Sequence, residues 1–288
     1  MLIMKSYKNQ AQKLKILIIG IDALEYELVK KYNLKALKQL KYFKIKVPIN
    51  KELKMPTTPT VWASFLTGKI INCRFEYENK LLKAIDFMFR IRKKLINRSF
   101  GLGSLIISIF RKFNKPAIKT FPKLKGKTFL EKTNSDYCNI PFYDYSDEYK
   151  KIIVLLNKTF SKREITRQEL KKELLNIFEN DKEKIIKKVK DSKAELFFCY
   201  FHFLDLIQHC FFDKEGFIKD CYKDVENFVK ELKKMSKAEL VVIISDHGQE
   251  QGTHTNYGFC SINKKLKFPR EITGFYDFFI KQIKKQTS

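Results

Sequence analysis

A short apolar segment that ends in charged residues constrains the fold of this chain most strongly. Residues 239–244 (ELVVII) are mostly β-branched and apolar, which is the pattern of a buried β-strand. Ser-Asp-His-Gly follows directly at 245–248. Ligands of open α/β sheets bind at the carboxyl ends of the strands. The sequence therefore predicts an α/β fold with a functional site at this end of the sheet.

The residues after this strand have the composition of a metal site. Asp246, His247 and His254 lie close together in the sequence, and Gly248 lets the chain bend so that adjacent side chains can face one centre. A carboxylate and two imidazoles in one loop are typical metal ligands. A polar turn that binds nothing is the alternative.

A second segment, 194–209 (AELFFCYFHFLDLIQH), has the same organisation. An apolar strand-like run is followed by Asp205 and, four residues later, His209. If the chain is helical after Phe203, these two side chains lie one turn apart on one face and can share a cation. A buried histidine with an aspartate partner is the alternative. His202 is predicted to be a core or supporting residue rather than a ligand.

The first strand is predicted over residues 15–22 (KILIIGID), a continuous apolar run of the kind found in parallel sheets. Asp22 stands at its carboxyl end, where it either caps the helix predicted over 25–40 or binds a ligand. A second strand is predicted over 43–47.

Residues 55–69 (MPTTPTVWASFLTGK) predict a helix over 59–66, with Thr58 as its N-cap and Pro59 at its first position. The free N–H groups at a helix N-terminus favour a bound phosphate. The Thr58 hydroxyl is therefore either a simple cap or a nucleophile held at that end of the helix.

These motifs together resemble the alkaline phosphatase superfamily, and within it the type I phosphodiesterase/nucleotide pyrophosphatase branch. The resemblance extends over nearly the whole chain, but its specific part is a set of short motifs. They are Asp22, Thr58-Pro59-x-x-Trp62 with Thr67-Gly68, Asn139-Ile140-Pro141 within 128–144, Asp205-x-x-x-His209, Asp246-His247-Gly248, His254 and Tyr257-Gly258-Phe259.

The resemblance implies a single three-layer α/β/α domain over 1–288, with a mostly parallel sheet and a small cap insertion at 75–127. It also implies two divalent cations, zinc or alternatively manganese. One would be held by Asp205, His209 and His254. The other would be held by Asp22, Asp246, His247 and the hydroxyl of Thr58, which is also the implied nucleophile.

The implied activity is hydrolysis of a phosphodiester or pyrophosphate bond through a phosphothreonine at Thr58. A phosphomutase-type or phosphomonoesterase member of the superfamily is the alternative. The chain departs from the family at Thr60, where a second proline is common, and at 69–75, where a Pro…His-Gly stretch is usual. Sulfatases carry Cys or Ser followed by Pro-x-Arg, which Thr58 and its neighbours do not match.

The net charge of +26 indicates which kinds of partner the protein attracts. Such a surface attracts polyanions, including nucleotide- or lipid-linked phosphate esters, although a lysine-rich composition also occurs in some thermophiles. Residues 81–96 have an apolar stripe and a basic face, which fits either a cap packed on the sheet or a helix that docks on an anionic membrane. No specific nucleic-acid recognition is predicted. A polyanion- or membrane-binding protein with a relic site is the non-enzymatic alternative.

The six cysteines are scattered and show no CxxC spacing. The first apolar run, 16–19, is too short for a signal peptide, and no run reaches the roughly 18 apolar residues of a membrane span. These features predict reduced cysteines and a cytoplasmic location. If residues 81–96 dock on an anionic membrane, that contact is predicted to be peripheral and at the inner membrane face.

Overall fold

The computed structural model describes residues 14–76, 117–118, 124–141, 143–144, 152, 154–156, 158–159 and 164–285. Its centre is a six-stranded sheet, with two separate two-stranded pairs. The strands are β1 Ile16–Ile21, β2 Lys41–Lys46, β3 Phe75–Glu76, β4 Ala117–Ile118, β5 Ser135–Cys138, β6 Leu196–Phe201, β7 Leu240–Ile244, β8 Gln249–Glu250, β9 Thr253–His254 and β10 Tyr257–Ile262.

The strand order of the central sheet is β2-β10-β7-β1-β6-β5. Strands β7, β1, β6 and β5 are parallel to one another, whereas β10 is antiparallel to both β7 and β2. The prediction of a mostly parallel sheet is confirmed. Strand β1 lies between β6 and β7, so the polar residues that follow these three strands leave the sheet at the same edge.

The helices are α1 Tyr26–Lys31, α2 Lys35–Lys38, α3 Thr58–Thr67, α4 Arg167–Asp191, α5 Phe203–Phe211, α6 Glu215–Ser236 and α7 Phe275–Lys284, with 3-10 turns at Phe129–Lys132 and Ile272–Gly274. They cover both faces of the sheet. Along β1, Ile16 and Ile18 pack with α3 and α7, whereas Leu17 and Ile19 pack with α4, α5 and α6. Because the side chains of a strand alternate between faces, the sheet is enclosed in the predicted three-layer arrangement.

Two local predictions are wrong. The helix predicted over 25–40 is broken into α1 and α2, because Asn33 takes a left-handed conformation with φ 51° between them; asparagine is one of the few residues that tolerates it. The N-cap of α3 is Thr57, and Thr58 is the first helical residue. The side chain of Glu25, not that of Asp22, caps α1 by accepting a hydrogen bond from Glu27 N.

The predicted cap insertion at 75–127 falls largely outside the described residues. The parts described are the antiparallel pair β3–β4 and residues 124–127. The basic stripe at 81–96 lies wholly outside them, so the cap and the single-domain organisation stay predictions. Among the residues that are described, no helix combines the length and hydropathy needed to cross a membrane.

Candidate active site

Loops after β1 and β7 bring together Asp22, Asp246 and His247, here called the buried cluster. All three residues are at most 2% exposed. His247 Nε2 lies 3.4 Å from Asp22 Oδ1 and 3.3 Å from Asp246 Oδ2. One possible ligand atom of each residue lies within 4.8 Å of the other two. The geometry allows all three residues to coordinate one cation.

Helix α5 and strand β9 bring together Asp205, His209 and His254, here called the rim cluster because it is more exposed. Asp205 and His209 are one helical turn apart, as predicted, with Asp205 Oδ1 and His209 Nε2 separated by 3.2 Å. His254 Nε2 lies 3.2 Å from His209 Nε2 and 3.8 Å from Asp205 Oδ1. Asp205, His209 and His254 therefore can also coordinate one cation.

The two clusters are adjacent. The rings of His247 and His254 stack with centroids 3.7 Å apart and an interplanar angle of 13°. Two cations held by neighbouring clusters can act on the same substrate group. The six ligands predicted in separate parts of the chain therefore lie in one place, not in scattered pockets.

Buried polar atoms indicate that cations fit here. Asp22 Oδ1, Asp246 Oδ2 and His247 Nε2 are buried without a hydrogen bond to any described residue, and so is Asp205 Oδ1 in the rim cluster. Leaving such atoms unpaired is costly. Coordination would satisfy them, and mixed carboxylate and imidazole donors suit zinc or manganese.

Burial sets the protonation of the two carboxylates in the buried cluster. It raises the pKa of Asp22 well above its ordinary value, and repulsion from Asp246 and Asp205 adds to the effect. Burial, with repulsion from Asp205, likewise raises the pKa of Asp246 to about 7. A bound cation would reverse this preference, because it stabilises the ionised carboxylates.

The rim cluster is electrostatically different. Burial disfavours the ionised Asp205 carboxylate, but attraction to His209 and His254 outweighs burial and holds the pKa of Asp205 below its ordinary value. Burial and repulsion from His247 hold the pKa of His254 well below its ordinary value. An ionised carboxylate and a neutral imidazole are the forms that bind a cation.

Backbone carbonyls fix the orientation of two of the histidines. His247 Nδ1 lies 3.1 Å from the Gly248 carbonyl oxygen, and His254 Nδ1 lies 3.0 Å from the Pro56 carbonyl oxygen. A carbonyl oxygen only accepts hydrogen bonds, so each Nδ1 carries the proton. The Nε2 lone pair of each ring is then directed into its cluster.

Thr58 lies beside the buried cluster at the N-terminus of α3. Its hydroxyl donates to Asp22 Oδ2 over 3.5 Å. Trp62, one turn later in the helix, is fully buried and packs edge-on against Tyr200 of β6, with ring centroids 5.2 Å apart. This anchor holds the start of α3 next to the carboxyl end of β1.

Sequence reasoning did not find the polar residues that support the clusters. Tyr200 donates a hydrogen bond to Asp22 Oδ2. Ser245 accepts one from Leu24 N and donates one to the His247 carbonyl oxygen, which ties the loop after β1 to the loop after β7. A tyrosine inside the apolar run of β6 was the one signal available. His202 lies at the N-cap of α5, outside both clusters.

The fold places two neighbouring clusters of possible metal ligands at adjoining strand ends of a mostly parallel sheet. The chain belongs to the type I phosphodiesterase/nucleotide pyrophosphatase family, whose sequence profile matches residues 16–273. The resemblance derived from the motifs is therefore confirmed. That family consists of phosphate-ester hydrolases.

Two solved structures of murine ectonucleotide pyrophosphatase/phosphodiesterase 5 are similar to the chain. An inactive variant in complex with AMP is 16% identical, with a TM-score of 0.40, and the match covers 82% of this chain and 57% of that one. A second structure of the same protein is 15% identical, with a TM-score of 0.40 and coverage of 81% and 57%. The match thus spans little more than half of those chains. No curated protein matches the chain significantly by sequence.

Proposed function

We propose that the protein is a metal-dependent phosphohydrolase that cleaves a phosphodiester or pyrophosphate bond through a phosphothreonine on Thr58. The observation that carries the proposal is the position of the Thr58 hydroxyl. It stands at a helix N-terminus, 3.5 Å from Asp22 Oδ2, beside two adjoining clusters of possible metal ligands. A hydroxyl at that position is placed to act as a nucleophile and as a metal ligand.

The residues divide between two cations, zinc or alternatively manganese. Asp205, His209 and His254 would hold one; Asp22, Asp246, His247 and the Thr58 hydroxyl would hold the other. When bound, the pair supplies positive charge that stabilises an ionised threonine oxygen and the phosphate oxygens.

The chain's own residues provide the covalent chemistry. The Thr58 oxygen forms a bond to phosphorus while the bond from phosphorus to the leaving oxygen breaks. The hydroxyl proton passes to solvent water, and the leaving oxygen takes up a proton from solvent water. Free N–H groups of α3 stabilise the phosphate. Water then attacks phosphorus, the bond to Thr58 breaks, and the threonine regains its proton.

The family favours a diester or pyrophosphate over a monoester, and a nucleotide- or lipid-linked phosphate ester is the proposed substrate class. The net charge of +26 supports an anionic substrate. Peripheral contact with an anionic membrane, at the cytoplasmic face, depends on 81–121, of which only Ala117–Ile118 is described, and stays a hypothesis.

The test compares hydrolysis of chromogenic phosphate mono- and diesters by metal-reconstituted wild-type protein and variants. Thr58→Ala should abolish turnover, and Thr58→Ser should keep part of it because the hydroxyl remains. Thr67→Ala, the same change at the far end of α3, is the matched control and should keep turnover.

Mass spectrometry of acid-quenched enzyme should find phosphate on Thr58. Near wild-type diester hydrolysis by Thr58→Ala would show that the covalent route is wrong and that water attacks the substrate directly. Absence of hydrolysis of any ester by the metal-loaded protein would instead favour a binding protein with a relic site.

A further inference from the structure

Gln249 is a buried polar residue to which the proposed chemistry gives no role. It lies in β8, two residues after His247, and is 3% exposed. Its Nε2 is 2.9 Å from His209 Nδ1. Its Oε1 is buried and makes no hydrogen bond to any described residue. A glutamine with one amide atom on an imidazole and the other unpaired needs an explanation.

His209 differs from the other two histidines of the clusters. His247 and His254 each direct Nδ1 at a backbone carbonyl oxygen, which fixes one tautomer. His209 directs Nδ1 at the Gln249 side chain instead. Its own side chain is 40% exposed on α5, so neighbouring packing restrains it less. The orientation of His209 therefore depends on Gln249.

The hairpin β8–β9 gives Gln249 a fixed position behind the rim cluster. Gln249 pairs directly with His254 across the two strands. One short hairpin thus carries a ligand of the rim cluster and the group that contacts a second ligand from behind. Backbone pairing between β8 and β9 therefore fixes the separation of Gln249 and His254.

We propose that Gln249 is the positioning residue of His209, fixing its ring orientation and its tautomer for coordination through Nε2. This inference rests on the proposed function, in which the rim cluster holds a cation. An amide can donate from Nε2 to an unprotonated Nδ1 or, after a half-turn, accept from Nδ1–H at Oε1. With the His209 Nε2 lone pair on a cation, Nδ1 carries the proton, so Oε1 must face the ring.

Cobalt titration followed by absorbance and calorimetry tests the inference. Gln249→Leu should weaken binding at the rim cluster about 10- to 100-fold, the usual effect of removing a partner behind a ligating histidine, while binding at the buried cluster stays unchanged. Gln249→Glu keeps an acceptor toward Nδ1 and should restore binding at the rim cluster. Glu250→Gln, an exposed change in the same hairpin, should match wild type at both clusters.

Imidazole nitrogen NMR of zinc-loaded wild-type protein gives a second test that needs no variant. His209 should show a proton on Nδ1 and the metal on Nε2. Metal on Nδ1, or unchanged cobalt binding at both clusters in Gln249→Leu, would overturn the role of Gln249 alone. Failure of wild-type protein to bind any divalent cation would overturn the proposed function together with this inference.

Discussion

Gly20 of β1 lies so close to the indole of Trp62 that a Cβ atom at residue 20 would come within 2.9 Å of Trp62 Cη2. Such an atom would also approach Phe198 to 3.0 Å and Tyr200 to 3.3 Å. The missing side chain is what lets α3 pack tightly on the sheet. Since α3 carries Thr58, the contact helps to set the distance between the proposed nucleophile and the buried cluster.

Gly20→Ala should therefore lower the free energy of unfolding by about 1–3 kcal/mol, the usual cost of overpacking a core, and should also lower turnover. Urea denaturation and ester hydrolysis measure the two effects. Gly216→Ala is the matched control, because a Cβ atom there meets no described atom within 4 Å and alanine favours the helix. Wild-type stability in Gly20→Ala would contradict this view of the contact.

Replacing one histidine of each cluster should deplete a different cation. His209→Ala removes a ligand of the rim cluster, and His247→Ala removes one of the buried cluster. Each variant should fall from about two equivalents of metal to about one, as measured by elemental analysis after dialysis. Their cobalt spectra should differ, because different ligand sets remain. Loss of both cations in each variant would indicate one shared site rather than two.

The sequence predicted the parts of the fold that rest on strong local patterns. The apolar runs of β1, β6 and β7 were identifiable because strands buried on both faces carry apolar residues at every position. The antiparallel insertion of β10 between β7 and β2 was not predicted, since strand order depends on pairing between distant segments. The break at Asn33 was missed because the apolar periodicity continues across it.

The candidate ligand residues were predictable for a similar reason. Asp22, Asp205 and Asp246 each follow a recognisable strand, so their motifs stand out from the surrounding sequence. Gln249 could not be found in this way. Its importance comes from burial and from contact with His209, forty residues away in the sequence. In the sequence it is one more polar residue in a loop.

The stability gained from divalent cations should increase with pH. Without cations, burial raises the pKa of Asp22, and that of Asp246 from 3.8 to about 7. The folded state then holds protons that the unfolded state has released, so this contribution to stability is lost as pH rises from about 4 to about 7. Cations bind the ionised carboxylates and should offset the loss over the same window.

Melting temperatures measured with a chelator and with zinc or manganese, from pH 5 to pH 8, check this expectation. The gap between the two curves should widen as pH rises through about 7, the pKa of Asp246. A gap that is constant with pH would show that Asp22 and Asp246 do not couple protonation to cation binding.

Tyr200→Phe should separate a structural role of this tyrosine from a role in the site. The Tyr200 hydroxyl donates to Asp22 Oδ2 and lowers the pKa of that carboxyl against the larger effect of burial. Without the hydroxyl the pKa of Asp22 rises further. Because Asp22 must be ionised to act as a ligand, the acid limb of the pH–activity profile should move to higher pH.

The variant should also lose about 1–3 kcal/mol of stability, since a buried carboxyl oxygen loses a hydrogen-bond donor. Tyr222→Phe is the control. The Tyr222 hydroxyl is equally buried, accepts from Glu25 N and donates to Gln208 Oε1, and contacts neither cluster. It should show a comparable loss of stability with an unchanged pH profile. Identical profiles in the two variants would mean that Tyr200 supports the fold and does not tune Asp22.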